Sequence, residues 1–134
     1  LRRLKIIFLV LMGRGWKIHN NTLQEEQELL LVMADIAIQI FAIESVVMRS
    51  EKIFSGVSSA KKDDLNAVVK VCTFSANEKI IQAARRASFY LEEKEKLQDL
   101  LDGIQYFSGY HPQALLESRR YLANRALENE KYFF

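Results

Sequence analysis

Cysteine, proline, glycine and histidine are all scarce in this chain of 134 residues, and each scarcity closes a class of structure or chemistry. Cys72 is the one cysteine, so no internal disulfide and no cysteine metal cluster can form. One proline and five glycines are too few for a β fold built on many tight turns. The two histidines, His19 and His111, lie in a polar connector and in the turn before Pro112. Neither has an acid or cysteine at helical spacing, and both read as surface or turn residues. The Glu-x-x-His pair with which carboxylate bundles hold a di-iron centre does not occur. Neither do G-x-G-x-x-G, G-x-x-x-x-G-K-[ST], H-E-x-x-H or G-x-S-x-G. The sequence therefore assigns no catalytic, cofactor-binding or metal-ligating residue.

Acid is missing from the first twenty residues, which carry five bases: Arg2, Arg3, Lys5, Arg14 and Lys17. Residues 21–60 reverse this, with six acids against two bases. The net charge is only +2, and the basic face is too narrow for a nucleic-acid binder. A hydrophobic share of 49% and a charged share of 27% describe a globular chain. At this length it reads as one helical domain, residues 1–134, that buries somewhat over about 60% of its unfolded surface. The opening residue is Leu rather than Met, so the expectation is a piece of a longer protein.

What is abundant is helical pattern. Residues 1–17, LRRLKIIFLVLMGRGWK, place seven apolar residues from Ile6 to Met12 between bases. That run is too short to span a bilayer, which takes about 20 residues. Residues 1–21 read as a basic amphipathic helix and its connector, and residues 22–134 as the core bundle. The connector leads to Thr22-Leu23-Gln24-Glu25, a capping-box pattern. From Thr22 to Phe54 no glycine or proline intervenes, and the only polar stripe is Gln24, Glu28, Asp35, Gln39 and Arg49. This reads as the central helix of a bundle, about 33 residues and roughly 50 Å long, surrounded by protein on most sides.

Asp63 or Asp64 suits the cap of the next helix, which runs to about Leu91. Leu65, Val69, Cys72, Ala76, Ile80, Ala83, Ala87 and Leu91 form one stripe at spacings of three and four, so Cys72 reads as a buried, inert thiol. Glu92 to Lys96 is a solvated charge run at a corner, and residues 97–107 form a short helix. Pro112 suits the first position of a last helix to about Glu130, with Leu115, Leu116, Leu122, Ala123, Ala126 and Leu127 inward. The ending Tyr132-Phe133-Phe134 is expected to pack on the body. The fold class is all-α: an up-and-down bundle of four main helices plus one short helix.

Three groups stand out as sites. Glu44 and Arg119 each sit on an apolar helix face, and charge buried without a partner costs several kcal/mol. They are expected to form an interhelical salt bridge. Val71, Phe74 and Ile81 lie off the core stripe and are expected to make a docking surface. Arg2, Arg3, Lys5, Ile6, Phe8, Leu9 and Trp16 are expected to touch a membrane or the body of a larger protein.

Two helical runs carry a resemblance. Met33 to Lys52 (MADIAIQIFAIESVVMRSEK) and Cys72 to Ala87 (CTFSANEKIIQAARRA) resemble the C-terminal helical region of very-long-chain-type acyl-CoA dehydrogenases, bacterial ones in particular. Arg119-Arg120 and the ending Glu128 to Phe134 are similar to that family's terminus. The likeness covers roughly residues 23–134, and residues 1–17 fit it least. It implies a non-catalytic accessory domain whose parent enzyme uses FAD to oxidise the α,β bond of an acyl-CoA thioester. The catalytic Glu and the flavin-binding segments would lie in the rest of the parent, so the fragment itself should bind no flavin. The resemblance implies the remainder of that chain as partner, a cytoplasmic location, and room for homo-oligomerisation or a peripheral membrane contact. The alternative from the residues alone is a free-standing helical adaptor for a partner helix or a membrane surface.

Overall fold

The structure, a computed structural model, describes residues 1–56 and 58–129. The described residues form five α-helices: α1 (Arg2–His19), α2 (Gln27–Phe54), α3 (Ser59–Leu91), α4 (Lys94–Phe107) and α5 (Leu115–Asn129). A 3-10 turn, Asn20–Glu25, joins α1 to α2. This is the all-α bundle the periodicity indicates.

The helix at the centre is α3, not α2. It packs against α1, α2, α4 and α5. The reason is side-chain size. Ala76, Ala83, Ala84, Ala87 and Ser88 of α3 are all buried and let neighbours approach from several sides. α2 lies antiparallel beside it and turns only one face inward, through Leu29, Val32, Met33, Ile36, Ile40 and Ile43. α1 crosses back along α2, with Gly15 against Leu29 at one end and Lys5 beside Glu44 at the other. α4 and α5 follow one another along α3, α4 ending level with Asn77 and α5 reaching Asp64. The core joins Leu4, Ile7 and Leu11 to Ile36, Ile40, Ile80, Ala84 and Ile104. Each large aliphatic side chain sealed there contributes roughly 1.5–3 kcal/mol.

Several boundaries move, each for a packing reason. The capping box at Thr22 does not form: Thr22 Oγ1 donates to the His19 carbonyl at 2.7 Å, and α2 begins five residues later at Gln27. The 3-10 turn instead drives Leu23 into the core. α3 starts at Ser59, so Asp64 is inside the helix rather than capping it. Cys72 is exposed, because the inward position on that turn is Thr73, whose Oγ1 is buried. α5 begins at Leu115 after Ala114 takes a φ of 55°, and Pro112 stays in the turn. Leu116 and Leu127 then face outward, and the inner face is Ser118, Tyr121, Leu122 and Arg125. The aromatic ending at residues 132–134 lies outside the described residues.

Gly13 and Gly15 test this packing in opposite directions. A Cβ on Gly13 meets nothing within 4 Å, whereas one on Gly15 comes to 3.3 Å from Leu29 Cδ2 and 3.7 Å from Leu91 Cδ2. Gly13→Ala should stabilise the chain by about 0.5–1 kcal/mol, and Gly15→Leu should destabilise it by about 1–3 kcal/mol. Urea unfolding of the two variants checks both signs.

Candidate functional site

The buried polar centre of the molecule is a clasp between α3 and α5. Asp64 is 4% exposed. Arg125 grips its carboxylate side-on, Nε donating to Oδ1 and Nη2 to Oδ2, each at 3.1 Å. Tyr121 Oη adds a third donor to Oδ1 at 2.6 Å. Tyr121 and Arg125 are one turn apart on α5, so a single helix face presents both. The Arg125 guanidinium holds the Asp64 carboxyl below the usual carboxylate range, against the opposing effect of burial, and the Tyr121 hydroxyl adds to the lowering. In return the hydrogen bond to Asp64 pushes the Tyr121 phenol up. Each group is thereby held in its resting protonation state. The arrangement locks two helices and is unsuited to moving protons.

This clasp replaces the expected Glu44–Arg119 pair. Glu44 pairs with Lys5 of α1 at 2.9 Å, and both side chains are partly solvated. Arg119 is exposed on α5, which packs on α3. A bidentate interhelical ion pair exists, on other residues. Its sequence signal was the i, i+4 spacing of Tyr121 and Arg125, set against an acid in α3.

Other polar groups also fasten corners. Asn77, 2% exposed, donates from Nδ2 to the Ser108 carbonyl at 3.1 Å and ties the end of α4 to the middle of α3. Glu92 accepts from Arg14, fixing the α3–α4 corner to α1. The charge run that begins there is a corner, as its composition indicates. His19 Nδ1 lies 3.3 Å from Glu26 Oε1, and His111 is exposed. Among the described residues no group of three His, Cys, Asp or Glu is placed to hold a metal.

The apolar surfaces fall elsewhere than their pattern indicated. Val71, Phe74 and Ile81 are each half-buried, and Ile81 packs against the chain's own core. On α1, Phe8 also packs on the core and Ile6 is half-buried, while Arg2, Arg3, Leu9 and Trp16 are exposed. The open face is the outer side of α2. Leu31, Ile38, Phe41 and Met48 are 67%, 59%, 70% and 64% exposed. Ala34, Ala42 and Ser45 share that side of the helix and are exposed as well. By length and composition α2 is also the one described helix that could cross a membrane.

Three hollows border these elements. One of about 650 Å³ is formed by eight consecutive residues of the α3–α4 corner, Phe89 to Lys96. One of about 430 Å³ is a groove between the C-terminal half of α2 and the start of α3. The third, about 70 Å³, lies between α1 and α4.

Residues 3–105 match a family described as acyl-CoA dehydrogenase, C-terminal domain. Over 131 residues, 98% of the chain, the sequence is 25% identical to a probable acyl-CoA dehydrogenase of Bacillus subtilis (strain 168), of which it spans 22%. The fold is similar to a crystal structure of an acyl-CoA dehydrogenase complexed with FAD from Bacillus anthracis. There the TM-score is 0.92 and the identity 26%, over 99% of this chain and 23% of that one. The chain thus spans about a fifth of either relative's length. The family match reaches back to residue 3, so α1 is part of the shared domain.

The clasp makes stability depend on acid in a defined direction. A carboxyl held low in the folded state stabilises above its unfolded value, here 3.8, and loses that contribution as pH falls toward the folded value. Asp64→Asn should cost about 1–3 kcal/mol near neutral pH. Melting temperatures of the wild-type chain and this variant should stay apart down to about pH 5 and converge below about pH 4.

Proposed function

The chain belongs to the family of acyl-CoA dehydrogenase C-terminal domains, and from that premise we propose that it is the non-catalytic accessory domain of a longer, FAD-dependent enzyme. That parent, of the very-long-chain type the helical runs resemble, would oxidise the α,β bond of an acyl-CoA. The flavin and the catalytic carboxylate belong in this reading to the rest of the parent.

The observation that carries a docking role is the outer face of α2. Leu31, Ile38, Phe41 and Met48 form an apolar strip on the most hydrophobic of the described helices, and no other described element covers it. A patch of this kind marks a contact surface. The partner that fits is the remainder of the parent, since the chain is about a fifth of its relatives. Those proportions also favour part of an enzyme over a free-standing adaptor. Burial in the bilayer is the less favourable alternative for α2. Glu78, Lys79, Arg85 and Arg86 lie on α3, packed antiparallel beside it, and would be carried to the same depth. We therefore read the domain as cytoplasmic and seated on the enzyme body, with a second subunit as a further neighbour.

The parent gene, expressed whole, should yield a yellow protein whose flavin is bleached by an acyl-CoA. Phe41→Asp in that protein should lower its melting temperature by several degrees, while leaving the isolated domain within about 0.5 kcal/mol of wild type. A colourless parent, a frame that opens at Leu1, or an equal loss in both proteins would overturn the reading.

A further inference from the structure

The apolar strip on the outside of α2 has a regular spacing. Leu31, Ala34, Ile38, Phe41, Ser45 and Met48 follow one another at steps of three and four, and all of them are exposed. That is the repeat of seven by which one helix lies along another. The inner face of the same helix shows what such a repeat holds. Leu29, Met33, Ile36, Ile40 and Ile43 keep the same alternation, are buried, and belong to the face that packs against α3.

The outer seam runs about 26 Å from Leu31 to Met48. Ala34 and Ser45 are small and sit between large neighbours, so they leave hollows that side chains of a facing helix can enter. The flanks of the seam are of another kind. Ala37 and Ala42 stand on opposite sides of it, both exposed. The flanking charges Asp35 and Arg49 make no ion pair among the described residues, which leaves each available to a partner.

We propose that the surface seated on this strip is a single α-helix of the enzyme body, lying along α2 at a crossing angle of roughly 20°. It carries apolar side chains at steps of three and four, large ones opposite Ala34 and Ser45, a base beside Asp35 and an acid beside Arg49. The inference rests on the reading that the strip docks on the rest of the parent. A broad face, made of a sheet or of several helices, would cover Ala37 and Ala42 as well as the seam. A helix crossing steeply is about 10 Å wide and would not reach both Ala34 and Ser45, which lie roughly 16 Å apart along the axis.

The test uses the whole parent protein, with Cys72→Ser and no other cysteine. Ala34→Cys, Ser45→Cys, Ala37→Cys and Ala42→Cys are made one at a time, each a small change at a position exposed in this domain. The rate of maleimide labelling is read for each against the same variant unfolded in urea. The two seam positions should label at least tenfold more slowly than the two flank positions. Equal protection at all four, or any other uneven pattern, would overturn the single helix and leave the docking reading in place. Rapid labelling at all four would overturn both.

Discussion

Small side chains along α3 are the constraint on which the rest depends. With Ala76, Ala83, Ala84, Ala87 and Ser88 buried, the helix axis can be approached on three sides at once. One long helix thereby becomes a spine for α1, α2, α4 and α5. Large residues come from the neighbours: Leu4, Ile7 and Leu11 from α1, Ile36 and Ile40 from α2, Ile104 from α4. Small against large is how a bundle reaches interior packing density without strain. It also explains why Ser88 tolerates full burial, since its hydroxyl donates to the Ala84 carbonyl of its own helix at 2.9 Å.

The spine was legible in the sequence. The three-and-four alternation from Leu65 to Leu91 holds at every position except Cys72, where Thr73 turns in, and Val69, which is half-buried. α2 was legible only in part. Its apolar residues fill the circumference outside one polar stripe, so periodicity located the wet side and could not say which dry side meets the body of this domain. That choice belongs to α3, through long-range packing that no local pattern encodes. The interhelical ion pair shows the same limit at finer scale. The pair was expected at Glu44 and Arg119 and stands instead at Asp64 and Arg125, because α3 begins five residues earlier than its acidic residues suggested. Asp64 read as a cap drops out of the search for a partner, and Asp64 inside the helix faces Arg125 at once.

The two faces of α2 divide the roles of the domain. Its inner face makes the fold, and its outer face is surplus to it, apolar without contributing to this core. Sequence and fold similarity to proteins more than four times as long give that surplus a context.

α5 stands apart in how it is held. None of its described residues joins the core cluster, and Tyr121 and Arg125 grip Asp64 of α3 through directional bonds. The link before it, from Ser108 to Ala114, is free of helix, and its near end is pinned separately by Asn77. Opening α5 therefore breaks a few directional bonds and exposes little oil. Helices held mainly by directional bonds open before helices held by a shared core, so amide exchange is expected to be faster in α5 than in the block of α1 to α4.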